Sequence, residues 1–189
     1  MKVIVYGGSN YKFYSPKKVA ECEKLGKALA AMHAEVLTGA CRGYPYYTGR
    51  AAVAAGARVY GYSPAQNLKE HTEKYNFPAD GVSDMVFNTA QSKVISENYL
   101  KRSIDMSGFG EVAVFLGGSW GTFMELLLSH FYKKTMIIIK EFDGAGDMFH
   151  CAYEFFGKHD TNPDVHFGAK IFYVKDVDEA VHFLLNLHT

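Results

Sequence analysis

The sequence predicts an α/β fold: a doubly wound, three-layer Rossmann-like domain with a parallel sheet of about six or seven strands. Two observations predict this fold. Short apolar strands alternate with helical segments along the chain, and no hairpin turn signal joins two strands. The 189 residues are 48% hydrophobic, which is enough to bury one full core. We therefore expect a single domain over residues 1–189.

The spacing of apolar residues places each element. The predicted strands are 2–6, 35–38, 58–62, 84–88, 112–116, 135–139 and 170–174. The predicted helices are 17–33, 48–57, 92–106, one that starts at Thr122, and 177–187. Residues 65–84 are polar and broken by Pro78 and Gly81, so they predict a surface excursion. Residues 141–168 are rich in aromatic side chains and are expected to be irregular.

Charge and cysteine content limit the classes of function that fit this sequence. The 20 basic and 20 acidic side chains cancel, so no net field attracts nucleic acid or an anionic membrane, and we expect a small-molecule partner. The three cysteines are widely spaced, and the histidines lack metal-ligand spacing, which argues against a disulfide framework and a metal site. No apolar run approaches the ~20 residues that span a bilayer. We expect a cytoplasmic protein without a metal or cofactor.

One stretch, residues 112–130, carries the strongest functional signal. An apolar strand of residues 112–116 runs into a glycine-bearing turn and then into a helix. Missing Cβ atoms let a ligand approach backbone amides, and the start of a helix attracts anions. The turn therefore predicts phosphate or nucleotide binding by Gly117, Gly118, Ser119, Trp120, Gly121 and Thr122.

Two interpretations of Thr122 and Glu125 follow from the residue pattern. Thr122 is the expected N-cap, and Glu125 then falls in the first helical turn, so the two form a capping box that satisfies backbone donors. Capping boxes are more common than active sites. Alternatively, Glu125 is a catalytic carboxylate next to the bound ligand.

Other turns are predicted to lie at the same edge of the sheet. Gly7, Gly8 and Ser9 follow the first strand, and Ser63 ends the third. The loop after the second strand contains Gly39, Arg42 and Gly43, which suit a phosphate. Because parallel strands end at one edge, these turns are expected to converge on one nucleotide-sized ligand.

Arg102 lies on an otherwise apolar helical stripe. Either its stem covers apolar surface while its head meets a carbonyl, or it binds an anion.

Five motifs together resemble the LOG-like family of Rossmann-fold nucleotide-binding proteins in the SLOG superfamily, often labelled "possible lysine decarboxylase". They are YGGSN at 6–10, LGKALA at 25–30, TGACRGYPY at 38–46, GYSPAQNLKEH at 61–71 and FLGGSWGTFMEL at 115–126. The resemblance covers roughly residues 1–140. It is strongest to the branch with the GxSPA and GGxxGTxxE patterns.

The resemblance implies a phosphoribohydrolase, which cuts the N-glycosidic bond of a nucleoside 5′-monophosphate. The family's catalytic Arg and Glu match Arg102 and Glu125, and its motif Thr matches Thr122. Neighbouring positions depart from the motifs of the LONELY GUY enzymes: Tyr99 and Leu100 replace Met-His, Ser103 replaces Lys, Gly117 replaces Pro, and Ser119 replaces Gly.

The resemblance also implies a homodimer or larger assembly, with the Arg102 helix near the contact. A non-catalytic carrier or sensor of a nucleotide-derived ligand, like the family's molybdenum-cofactor carriers, is the alternative function. Lysine decarboxylation is not supported, because no lysine stands in a recognisable pyridoxal phosphate context.

Overall fold

A computed structural model describes residues 1–9, 15–159 and 168–188 of the chain. Its sheet has seven strands, all paired in parallel, in the order β4-β3-β2-β1-β5-β6-β7. The strands are β1 Lys2–Gly7, β2 Glu35–Thr38, β3 Val59–Ser63, β4 Asp84–Phe87, β5 Val112–Leu116, β6 Thr135–Ile139 and β7 Lys170–Val174. The predicted doubly wound α/β fold is confirmed.

Helices cover both faces of this sheet. They are α1 Pro16–Ala31, α2 Tyr44–Ala54, α3 Ile95–Phe109, α4 Trp120–Phe131, α5 Ala145–His159 and α6 Val177–His188. The start of α1 follows from its sequence: the Ser15 hydroxyl accepts a hydrogen bond from the Lys18 amide, and Pro16 fits the first helical position. None of the described helices is both long and apolar enough to cross a bilayer.

The core has two parts, one on each face of the sheet. On one face, Leu25 of α1 and Leu184 of α6 belong to a cluster with Val5 of β1. On the other face, Met106 of α3 and Leu126 of α4 belong to a cluster with the inner strands. Each helix therefore buries its apolar stripe against the sheet, as a three-layer fold requires.

Four predictions about the helices differ from the structure, including the third helix, which covers Ile95–Phe109 instead of 92–106. The second helix begins at Tyr44 instead of residue 48, because Pro45 starts a helix as readily as it starts a loop. The fourth helix begins at Trp120, before Thr122. Most of the segment expected to be irregular forms α5, in which Phe149 is buried; residues 160–167 of that segment lie outside the described residues.

The order of the strands reverses between β1 and β5 in the middle of the sheet. The chain first builds outward from β1 to β4 and then returns to place β5 on the other side of β1. Gly7 is paired with Leu116, so both strands end at the same level. In doubly wound sheets, ligands bind at the carboxyl ends of the strands beside such a reversal.

The tightest helix contact, between α1 and α2, gives a stability prediction. A Cβ built on Gly26 would lie 2.2 Å from the carbonyl oxygen of Thr48 and 2.9 Å from the Ala52 nitrogen. We expect Gly26→Ala to lower the free energy of unfolding by about 1–3 kcal/mol in denaturant titrations, because the helices must separate.

Gly157→Ala in α5 is the matched control. Outside its own helix, no heavy atom of the described residues lies within 4 Å of a Cβ built there, so the substitution should stabilise the helix by up to about 1 kcal/mol. Equal effects at the two positions would contradict the close packing of α1 on α2.

Candidate functional site

The glycine turns after β1, β2 and β5 touch one another at the carboxyl edge of the sheet. The Gly8 amide donates to the carbonyl of Leu116 at 3.0 Å, and the Tyr44 amide donates to the carbonyl of Gly8 at 3.0 Å. A Cβ on Gly8 would lie 3.4 Å from the Cα of Gly118. The structure therefore brings backbone from the three turns into contact.

Gly43 occupies a position that only glycine fits well. Its φ of +119° lies in the left-handed region, and an added Cβ would lie 2.2 Å from the carbonyl oxygen of Gly8. The close approach of the second turn to the first therefore depends on the missing side chain.

Helix α4 does not begin with the expected capping box. Its N-cap is Ser119, whose side chain makes no capping hydrogen bond, and Thr122 is buried inside the first turn. The Thr122 side chain packs against Gly118. Glu125 falls in the second turn and hydrogen bonds to α3 instead of to a backbone amide at the helix start. The capping-box interpretation was therefore wrong.

Glu125 forms a buried ion pair with Arg102. The Nη2 of Arg102 lies 3.1 Å from Oε1 of Glu125, and only 8% and 9% of the two side chains are exposed. The Ser103 hydroxyl donates to the same oxygen at 3.2 Å, and Arg102 Nη1 donates to the carbonyl of Gly39 at 2.9 Å. Arg102 thus joins the turn after β2 to the helix that starts after β5.

The environment of the pair changes the proton affinity of the carboxyl group. Burial raises the pKa of Glu125 to about 7, although Arg102 and Ser103 act in the opposite direction. Burial opposes the charge of Arg102, but the Glu125 carboxylate and Cys41 raise the pKa of its guanidinium, which remains protonated. The site therefore pairs a permanent cation with a carboxyl group that titrates near neutral pH.

One buried donor of Arg102 has no acceptor among the described residues. Its Nε makes no hydrogen bond to any residue that the structure describes. Buried donors are usually satisfied, so an unpaired one next to a glycine-lined edge suits a ligand oxygen.

Arg42 and Ser63 have other roles. Arg42 is exposed and donates through Nε and Nη2 to the carbonyl of Asn76, at 3.2 and 2.9 Å, which ties the loop after β2 to the 65–84 excursion. Ser63 is buried and lies 2.8 Å from Nδ1 of His71.

The direction of the Ser63–His71 bond follows from its neighbours. The Nε2 of His71 faces the carbonyl of Pro78 at 3.1 Å, and a carbonyl only accepts. Nε2 therefore carries the ring proton, and the Ser63 hydroxyl donates to Nδ1. That hydrogen is therefore used within the protein, and Arg42 uses its Nε and Nη2 to hold Asn76.

The remaining predicted residues lie around the turns. Ser9, Ser119 and Gly121 are exposed, and Trp120 is 86% exposed.

Sequence reasoning missed Ser103 as a partner of Glu125, because it was read only as a departure from a family motif. It also missed Cys41, whose thiol interacts electrostatically with the Arg102 guanidinium; the TGACRGYPY motif contained that signal.

The strand order and the converging glycine turns define a Rossmann-like protein with its candidate ligand site at the topological switch point. More specifically, the chain belongs to the SLOG cluster4 family, whose model matches residues 1–180. This membership confirms the resemblance to LOG-like proteins. No curated protein matches the sequence.

Solved structures share the fold at low sequence identity. The X-ray structure of TM1055, a structural genomics target, is 22% identical with a TM-score of 0.76 and covers 98% of both chains. The molybdenum cofactor binding protein from Rippkaea orientalis is 15% identical, with a TM-score of 0.72 and coverage of 100% and 97%. DNA processing protein A from Helicobacter pylori, which binds single-stranded DNA, is 12% identical, with a TM-score of 0.69 and coverage of 100% and 82%.

The raised pKa of Glu125 predicts a pH dependence of stability. A carboxyl group whose pKa rises from 4.5 to about 7 on folding stabilises the protein below the unfolded pKa, and this contribution is lost as the pH rises through the folded pKa. We expect the free energy of unfolding of wild type, relative to that of Glu125→Gln, to fall by on the order of 1 kcal/mol per pH unit between about pH 5 and pH 7. Urea titrations of both proteins at each pH measure this relative free energy. A difference that does not change with pH would contradict the raised pKa.

Proposed function

We propose that this protein binds a nucleoside 5′-monophosphate at the carboxyl edge of the sheet and hydrolyses its N-glycosidic bond. The observation that carries the proposal is the position of Glu125. Its carboxyl group is held by Arg102 and Ser103 about one helical turn beyond Thr122, which packs on the Gly118 turn. A phosphate bound at that turn would bring the attached ribose towards the carboxyl group.

The phosphate site in this proposal uses backbone amides and the positive end of α4. A helix of 12 residues presents unpaired amides and a partial positive charge at its start, and both favour a phosphate dianion. The phosphate and ribose binding residues we propose are Gly7, Gly8, Ser9, Gly39, Gly43, Gly117, Gly118, Ser119, Trp120, Gly121 and Thr122.

In the proposed reaction, Glu125 acts as the general base. A carboxyl group with a pKa near 7 suits this role at neutral pH. Water attacks C1′ of the ribose and gives a proton to Glu125, while the C1′–N bond breaks and its electron pair leaves with the base. The proton held by Glu125 then passes through solvent to the base, which restores the carboxylate. The ionised carboxylate also stabilises positive charge on the ribose ring. Arg102 holds the carboxylate in place, and its unpaired Nε donates to a ligand oxygen.

A non-catalytic carrier is the second candidate, and a specific observation favours it. Oε1 of Glu125 already accepts hydrogen bonds from Arg102 and Ser103, which a purely structural carboxylate would also do. The protein from R. orientalis, which binds the molybdenum cofactor, shares the whole fold with this chain. The same edge would then hold a nucleotide-derived ligand without cutting it. The balanced charge of the chain favours such small ligands over DNA.

We expect wild-type protein incubated with a panel of nucleoside 5′-monophosphates to release free base, which chromatography detects. Glu125→Gln should slow this release by at least about 100-fold, because the general base is lost. Glu23→Gln, which changes a remote glutamate paired with Arg50, is the matched control and should match wild type.

Unchanged base release by Glu125→Gln would contradict the assigned catalytic role. If wild type releases no base but a nucleotide raises its melting temperature, the carrier function is supported and the hydrolase function is not.

We also propose that the chain forms a homodimer through α3 and α4. Each helix exposes two large apolar side chains one turn apart: Leu100 and Ile104 on α3, and Leu127 and Phe131 on α4. A second copy of the chain would bury these side chains next to the Arg102 helix.

Ile104→Glu tests the homodimer. We expect light scattering to give a dimer mass for wild type and a monomer mass for the variant, because a buried charge opposes association. Lys101→Glu, on the same helix in an exposed i,i+4 ion pair, should remain dimeric. A monomeric wild type would contradict the proposal.

A further inference from the structure

Three aromatic side chains form a cluster beside the Arg102–Glu125 pair. Tyr75 and Phe77 come from the 65–84 excursion, and Tyr99 comes from α3. The Tyr75 and Tyr99 rings are perpendicular with centroids 5.8 Å apart, and the Phe77 ring lies 6.4 Å from Tyr99. All three residues are half-buried. We refer to Tyr75, Phe77 and Tyr99 as the aromatic wall.

The aromatic wall adjoins the ion pair. Tyr99 precedes Arg102 by three residues on α3, and the guanidinium carbon of Arg102 lies 5.7 Å from the centre of the Tyr99 ring. The same guanidinium contacts Gly39 at the end of β2 and Glu125 on α4. Arg102 therefore touches both the wall and the catalytic carboxyl group.

Strand order places the wall and the phosphate turns on opposite sides of this pair. The excursion that carries Tyr75 and Phe77 follows β3, Gly39 follows β2, and the turns at Gly8 and Gly118 follow β1 and β5. Neighbouring strands are about 4.8 Å apart, so β3 and β5 lie three spacings, or about 14 Å, apart. The phosphate turns, the Arg102–Glu125 pair and the aromatic wall therefore follow one another along this edge in the order of the phosphate, sugar and base of one nucleotide.

The loop after β2 holds the aromatic wall in place. Arg42 donates to the backbone carbonyl of Asn76 and, at 3.1 Å, to its side-chain oxygen, and Asn76 lies between the two aromatic residues of the excursion. Its φ of +51° turns the chain there. The buried bonds of His71 to Ser63 and Pro78 fix the same segment to the end of β3. These contacts give the arginine of the loop after β2 a structural role.

One polar atom of the wall is left over. The Tyr75 hydroxyl is buried and makes no hydrogen bond within the part of the chain that the structure describes. Leaving a buried hydroxyl unpaired is unfavourable, and an acceptor on a ligand would satisfy it. The Tyr75 hydroxyl and Nε of Arg102 are therefore two donors at this end of the edge that have no acceptor among the described residues.

We propose that the aromatic wall is the base subsite of the protein: the base of the nucleotide stacks on Tyr99, and the Tyr75 hydroxyl donates to an acceptor on that base. Arg42 is a positioning residue that holds Tyr75 through Asn76. The inference rests on the proposed function, because it requires a nucleotide ligand. Base stacking on aromatic side chains is favourable for every base, and the single hydroxyl adds a preference for bases with an acceptor at that point.

The test compares two ligands, a nucleoside 5′-monophosphate and ribose 5-phosphate, which lacks the base. Calorimetry on Glu125→Gln, in which turnover should be slow, gives both dissociation constants. Adding Tyr99→Leu should weaken binding of the nucleotide by about tenfold and leave ribose 5-phosphate unchanged. Adding Tyr75→Phe should weaken the binding of only those nucleotides whose base has the matching acceptor, by about three- to tenfold. Ribose 5-phosphate binding also verifies that each variant is folded.

Two further variants sharpen the test. Tyr132→Leu, at the far end of α4, is the matched control and should bind both ligands like its parent. Arg42→Ala should reduce nucleotide affinity as Tyr75→Phe does, without changing ribose 5-phosphate affinity.

The outcomes distinguish failure of the base subsite from failure of the proposed function. In one outcome, the parent binds both ligands but Tyr99→Leu and Tyr75→Phe change neither affinity. In another, only Trp120→Ala weakens nucleotide binding. In either case the base does not lie on the aromatic wall, and this inference fails while the proposed function stands. If the parent binds neither ligand, the proposed function fails, and the inference with it.

Discussion

The buried contact between Arg102 and Glu125 connects the parts of this protein that matter for its proposed chemistry. It links α3, α4 and the turn after β2, which are far apart in sequence. Burying two charges carries a desolvation cost, and removing one partner would leave the other uncompensated. The high pKa of the Glu125 carboxyl reflects that cost, since burial outweighs the nearby cation. A hydrophobic pair would fill the same space without this cost, so the position favours a chemical role.

The reversal of strand order determines what surrounds this pair. Because β1 and β5 are neighbours that end at the same level, their glycine turns leave the sheet side by side, and α4 starts between them and the pair. The loop after β2 completes the edge through Gly43 and Tyr44. Two further features surround the pair. The 65–84 excursion brings aromatic side chains to α3, and Ser103 shares the carboxylate oxygen with Arg102.

Local patterns predicted most of the fold and only part of the candidate site. The apolar run of β5 and the glycines after it place the central strand and its turn, because both signals lie within a few residues. The capping box failed because Thr122 and Glu125 have the right spacing, while the partner of Glu125 lies 23 residues away on α3. The protein partners of Arg42 and Ser63 could not be predicted for the same reason: Asn76 and His71 belong to an excursion whose folded path no local pattern specifies.

A crystal structure of Glu125→Gln with a bound nucleoside 5′-monophosphate is the most direct measurement. We expect phosphate oxygens within hydrogen-bond distance of the amides of Gly8 and Gly118, with C1′ of the ribose beside the side chain at position 125. A nucleotide bound elsewhere, or the same edge closed by the protein's own side chains in crystals soaked with saturating nucleotide, would contradict a phosphate site at the reversal of the sheet.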